Sequence, residues 1–329
     1  MTKSIYRKIT ALIMGACAIL SVGAMGAANA QVQPEYPNRS ITLVVPYPAG
    51  GATDTLARFI GGKLQERWGQ TVVILNKPGA SGIIGAQYVL QATADGYTVL
   101  VGVTSMIQQP AMMSSLPYDP LKDFAPVVQT AHTSNLFLVP LNSSAKTMKE
   151  FVAQAKSHPS QYNFASWGPG SSAHIHGELL NQQAGLDLTH VPFQGSAPVI
   201  RNLIGGQISS AFVDIPSATP HLKSVRVLAV TGPQRIPGLP DVPTFTELGY
   251  KSFEPRGWHG LFLPAATPRP IVEKLSAEIN RILQLPDTEA TIQALGMIRG
   301  GGTPDEFATA MRKDAAIYAE IIKEAGIRM

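Results

Sequence analysis

Short β-branched runs alternate with amphipathic segments through the first third of the chain, and glycine-rich loops join them. Residues 40–47 (SITLVVPY) are apolar and end at proline, the mark of a buried strand. Residues 54–68 carry Leu56, Phe59, Ile60 and Leu64 at helical spacing. Residues 71–75 read as a strand, 83–91 as a helix and 98–103 as a strand. A β-α-β-α-β order of this length implies a parallel sheet with right-handed crossovers.

The alternation resumes after a change near Ala131. Strands are predicted over 136–139, 163–166, 190–193, 209–214 and 225–230, with helices over 146–157, 172–184 and 198–204. A proline-rich stretch covers 233–243. A further strand at 258–263 precedes helices at 269–283, 287–295 and 304–324. Two such clusters predict two α/β lobes. The second already has its strands, so the strand at 258–263 is expected to return to the first. The expected segments are 31–132 and 256–329 for lobe 1 and 133–255 for lobe 2. No solenoid-type repeat is present.

The amino terminus reads as a signal peptide. Lys3, Arg7 and Lys8 precede an apolar run over about 9–25, and Ala28-Asn29-Ala30 supplies small-x-small ahead of a cut after Ala30. The run is near the minimum spanning length and holds Gly15, Ser21 and Gly23, which argues against an anchor. Met14-Gly15-Ala16 is a poor approach to a lipidated Cys17. Cleavage would remove the chain's one cysteine, and with it any disulfide, thiol nucleophile or cysteine metal site. The formal charge of +4 then falls to 23 basic against 22 acidic residues. No concentrated basic stripe exists, so a nucleic-acid partner is not expected. An anionic ligand would have to be held by local dipoles.

In an open parallel sheet, ligands bind beyond the carboxyl ends of the strands. The loop after the first strand is PAGGATD at 48–54. Ala49, Gly50 and Gly51 let backbone N–H groups approach a ligand, and the next helix adds a positive dipole end. The loop after the second strand, NKPGASG at 76–82, offers Asn76, Gly79, Ala80 and Ser81 in the same way. Tight turns are the structural alternative for either loop alone. Asp54 suits a helix cap better than a contact to a cationic ligand group. The second lobe's counterpart is SWGPGSSAH at 166–174, with Ser166, Gly170, Ser171 and His174. His174 and Glu178 share a helix face, whereas His176 points elsewhere, so a helical metal site is not expected. Phe193, Gly195 and Asp214 follow later strands. Phe193 could pack on a ligand or belong to the core, and Asp214 could contact a ligand or start a helix.

No G-x-S-x-G elbow, Walker A or G-x-G-x-x-G occurs, so no cofactor is expected. A hydrolase using Ser171 and His174 is the alternative from another class.

Six ordered motifs resemble the Bug-type (Bordetella uptake gene) periplasmic receptors of tripartite tricarboxylate transporters. They are VVPYPAGGATDTLAR at 44–58, NKPGASGIIG at 76–85, ASWGPGSSAHIHGE at 165–178, VPFQG at 191–195, FVD at 212–214 and WHGLFLPAATP at 258–268. The resemblance covers the whole mature chain. It implies a two-lobed periplasmic-binding-protein fold of the type II kind, each lobe a mainly parallel sheet flanked by helices, with no enzymatic activity. The ligand would be a small di-, tri- or aromatic carboxylate, the receptor a monomer, and the partner the permease subunits of the transporter; a signalling partner is the alternative. One carboxylate would be held by the first two loops and the far end read by the second lobe, with Thr104 and Ser105 lining the same cleft. A tyrosine is usual where Phe193 stands. With Trp167 and Pro169, this suggests a ligand with a flat or apolar body.

Overall fold

The structure is a computed structural model that describes residues 35–253 and 256–327; the signal-peptide reading and Cys17 lie outside them. The first sheet holds β1 (Ile41–Val45), β2 (Val72–Asn76), β3 (Thr98–Val103), β4 (Phe124–Thr133), β10 (Gly257–Pro264) and β11 (Ile298–Gly301) in the order β11-β4-β10-β3-β1-β2. The second holds β5 (Asn135–Pro140), β6 (Asn163–Ser166), β7 (Thr189–Pro192), β8 (Ser210–Asp214) and β9 (Val225–Val230) in the order β7-β6-β8-β5-β9. The chain passes from the first sheet to the second between Thr133 and Asn135, and β10 returns it.

Both sheets are mixed rather than mainly parallel. Parallel pairing links β1 with β2 and β3, and β6 with β7 and β8. The strands at the lobe connections, β4, β5 and β10, run antiparallel to their neighbours. This places the start of β10 beside the end of β3, with His259 opposite Val103. It likewise places the start of β5 beside the end of β8, with Asn135 opposite Asp214.

Helices α1 (Ala52–Trp68), α2 (Ile83–Leu90), α3 (Ser105–Met112), α4 (Met148–Ser157), α5 (Ser172–Ala184), α6 (Ser196–Ile204) and α7 (Ile215–Ala218) follow strands of the two sheets. Helices α8 (Arg269–Leu283), α9 (Pro286–Ala294) and α10 (Pro304–Glu324) close the chain. Helix α3 and strands β4 and β11 were not expected. Pro110 and Pro126 interrupt the sequence pattern, yet Pro110 sits late in α3 and Pro126 falls at a register shift between β4 and β10.

The apolar stripe of α1 buries Leu56, Ile60 and Leu64 against the first sheet, each contributing roughly 1.5–3 kcal/mol. The second lobe centres on Phe137, Phe212, Phe245 and Phe253, with the Phe245 and Phe253 rings stacked 4.2 Å apart. Gly177 lets α5 lie directly on β6, because a Cβ there would stand 1.9 Å from the buried Phe164 ring. Gly177→Ala should therefore destabilise the fold by about 1–3 kcal/mol of overpacking, read as a fall of several degrees in melting temperature. An unchanged melting temperature would contradict this packing.

Candidate ligand-binding site

A cleft lies where the carboxyl ends of the parallel strands of both sheets meet. Four helices begin at its wall. Gly51, Ala52 and Thr53 come from the start of α1, and Thr104 and Ser105 from that of α3. Ser172 comes from α5, and Gly195, Ser196 and Ala197 from α6. The first N–H groups of a helix have no partner within it, and the helix dipole places partial positive charge there. Such helix starts favour negative charge.

The first loop is shaped from behind by Asp54. One carboxylate oxygen accepts the Gly50 N–H at 2.9 Å and the Arg58 Nε–H at 2.9 Å; the other accepts Asn76 Nδ2–H at 2.9 Å. Burial pushes the Asp54 carboxyl up, but these bonds outweigh it and hold it below the ordinary carboxylate value. Gly50 takes the left-handed conformation at φ 86°, which only glycine adopts readily. Its N–H is donated to Asp54.

Of the residues singled out in the sequence, Gly51, Thr104, Ser105, Gly195 and Asp214 share the cleft wall. Gly79, Ala80, Ser81 and Phe193 line an adjoining mouth, together with Trp167 and Pro169. Across that mouth Ser81 Oγ–H donates to the Pro169 carbonyl at 2.6 Å. Ala80 and Ser81 hold φ of 45° and 52°, a local strain of the kind functional loops store. The Ser81 carbonyl is held by Gln109 Nε2 at 3.0 Å.

Ala49, Gly50, Asn76, Ser166, Gly170, Ser171 and His174 line neither space. Asn76 braces the first loop, its Nδ2 also donating to the Tyr47 carbonyl at 3.1 Å. Ala49 and Gly50 belong to the first loop itself, and Ser166, Gly170, Ser171 and His174 build the third. Ser171 Oγ–H donates to the Gly168 carbonyl at 2.6 Å and accepts the His174 N–H, capping α5. The Gly170 N–H donates to His174 Nδ1 at 3.2 Å, and Ser166 Oγ meets His190 Nε2 at 2.7 Å. The rings of His174 and His190 stack at 4.1 Å. The Ser171 hydroxyl thus contacts backbone, and His174 accepts a backbone proton, leaving no nucleophile–base pair between them.

Sequence reading missed several cleft residues. Tyr47 is one: its OH lies 3.0 Å from Ser105 Oγ, and burial pushes it up to about 12. His176 accepts Asn135 Nδ2–H on Nδ1 at 3.0 Å, which leaves its Nε2 as the N–H. His259 contacts Thr53 Oγ1 through Nε2 at 3.2 Å, and its buried Nδ1 has no partner. Asn135 and His259 stand at the starts of antiparallel strands, so strand pairing had to be known before either could be placed. The tyrosine flanking PAGG was the one signal open to sequence reading.

Two α/β lobes around a cleft lined by helix starts define the two-lobed fold of a solute-binding protein. The profile of the tripartite tricarboxylate transporter family receptors matches residues 56–327, and the chain belongs to that family. It is 37% identical over 299 residues to the UPF0065 protein in the tcbD-tcbE intergenic region of Pseudomonas sp. strain P51, covering 90% of this chain and 89% of that one. Among solved structures it is similar to R. palustris Rpa4515 with adipate, at TM-score 0.86 and 33% identity over 89% of this chain and 99% of that one. It is also similar to the periplasmic binding protein BugD, at TM-score 0.85 and 30% identity over 89% and 99%. The family is one of receptors rather than enzymes, so Ser171 and His174 are not a hydrolase pair.

Burial lowers His174 and His259 to about 4, and His176 and His190 to about 3. From the ordinary value near 6.5 down to those values, the unfolded chain binds protons that the folded chain does not. Their contribution to stability is complete above about pH 6.5 and declines as pH falls through this window. The melting temperature should be level from pH 8 to 7 and drop steadily below about 6.5. A level profile down to pH 4 would contradict the neutral, buried histidines.

Proposed function

We propose that this protein is the extracytoplasmic receptor of a tripartite tricarboxylate transporter, capturing a small carboxylate by lobe closure and delivering it to the permease subunits. The observation that carries the reading is the convergence of four helix amino termini on one cleft. The adipate in Rpa4515 and the periplasmic setting of BugD support the ligand class and the compartment. The receptor acts as a monomer in the periplasm after its signal peptide is cut behind Ala30. Lobe 1 is residues 31–132 and 256–329, and lobe 2 is 133–255.

Carboxylate contacts are assigned to the backbone at Gly51, Ala52 and Thr53 and to the hydroxyls of Thr104 and Ser105. Gly195, Phe193 and Asp214 face them from the second lobe. Two hydrogen bonds join the lobes beside the cleft: Ser81 to the Pro169 carbonyl, and Ser172 Oγ–H to Gln108 Oε1 at 3.0 Å. Closure would sequester the anion from water between them.

Thermal-shift screening over a carboxylate library, followed by calorimetry, tests the reading. Carboxylates should raise the melting temperature by mass action, and their neutral amides should not. Stabilisation by the amides alone would overturn it. Ser81→Ala removes one interlobe bond of about 1 kcal/mol, so ligand release should quicken roughly fivefold with little change in association rate. Unchanged release would show that this contact does not hold the closed state.

A further inference from the structure

The described lining of the cleft holds no lysine or arginine, but three arginines line a second groove behind it: Arg235, Arg256 and Arg299. This groove shares Thr133 and Ser134 with the cleft and no residue with the mouth. The crossing between the sheets therefore separates the two spaces, and the groove lies on the far side of the cleft from its mouth. Each arginine comes from a different part of the chain. Arg235 belongs to the proline-rich stretch of the second lobe, and Arg299 to β11 at the edge of the first sheet. Arg256 stands on the return crossing, just before β10. The lobes also touch within the groove, where a Cβ on Gly296 would stand 2.2 Å from Ile215 Cγ2.

The charge balance there is positive. Among the described lining residues Glu289 is the one carboxylate, and it pairs with Arg299. Arg235 pairs with Glu247. The side chains of both pairs are 36–46% exposed, and ion pairs so exposed hold their partners weakly. Arg256 has no ion pair and its side chain donates no hydrogen bond among the described residues. Its charge acts on His132, another lining residue: burial first, and Arg256 second, hold that imidazole below its ordinary value. Three guanidiniums thus face two carboxylates and a neutral histidine. Each guanidinium is a fork of N–H donors that fits carboxylate or phosphate oxygens in pairs. Forks brought together from both lobes and the crossing suit an anion with several oxygens and more than one charge.

We propose that the groove behind the crossing is a second anion site, in which Arg235, Arg256 and Arg299 hold a small, multiply charged anion across the two lobes. The proposal goes beyond the receptor reading and does not depend on which carboxylate the cleft takes. An anion that touches both lobes binds their arrangements unequally, which links it to closure of the cleft. The lobes are joined at Ser81 and Pro169 on the other side, so that arrangement is the one the anion should favour.

Calorimetry with inorganic pyrophosphate at pH 7.5 and low ionic strength tests the site. Pyrophosphate should bind the unaltered protein, and Arg256→Gln and Arg299→Gln should each weaken it about tenfold. Arg312→Gln removes an exposed charge outside the groove and should change the affinity less than about twofold. In the unaltered protein the His132 ring resonances should move during an NMR titration, a readout that needs no variant. Ser81→Ala loosens the lobes at the mouth and should weaken pyrophosphate about twofold or more. No binding, or a loss in Arg312→Gln equal to that in Arg256→Gln, would overturn the site. Binding that leaves His132 unmoved would place pyrophosphate elsewhere and overturn it too. Unchanged affinity in Ser81→Ala would overturn the link to closure.

Discussion

Everything at the site depends on the parallel register of β1 with its two neighbours. Val45 lies opposite Asn76 and Val44 opposite Leu100, so three strands end at one edge, and α1 and α3, which follow β1 and β3, start there. The second lobe repeats the device with β6, β7 and β8, where Ser166 pairs with Pro192 and Ala165 with Ala211. Helix ends are the one source of positive potential that needs no ionisable side chain. An anion can thereby be held in a cleft whose described walls contain no lysine or arginine.

Backbone donors bind well only when their loops are fixed beforehand, since ordering a loop on binding costs affinity. Buried polar groups do that fixing here. Asp54 ties Gly50, Arg58 and Asn76 into one unit beneath the first loop. The stacked His174 and His190, with Ser166 and Ser171, do the same for the third. These are charged or titratable groups held by hydrogen bonds, which is how such groups are tolerated away from water. Their burial also lowers the histidine values and makes stability depend on pH.

Much of the fold was legible because the strands that carry the two α/β clusters are short, β-branched and closed by glycine or proline. The strand Ile41–Val45, closed by Pro46, is an example. What periodicity could not show was pairing direction. β4 and β5 join the lobes antiparallel to their partners, and β10 pairs antiparallel to both β3 and β4. At the site, polar residues in glycine loops all read alike as ligand contacts. Gly51, Ser105 and Asp214 reach the cleft, whereas Asn76, Ser171 and His174 turn back to brace their own loops. Composition cannot separate these roles, because both need the same donors and acceptors at the same edge. His259 and Asn135 lie far in sequence from any glycine loop and enter the site only through strand order.

An amide-resolved NMR titration with a bound carboxylate tests the backbone-dipole account most directly. The largest downfield amide-proton shifts should fall on Ala52, Thr53, Ser105 and Ser196, at the starts of α1, α3 and α6. Shifts centred instead on lysine or arginine side chains, with those amides unmoved, would contradict it.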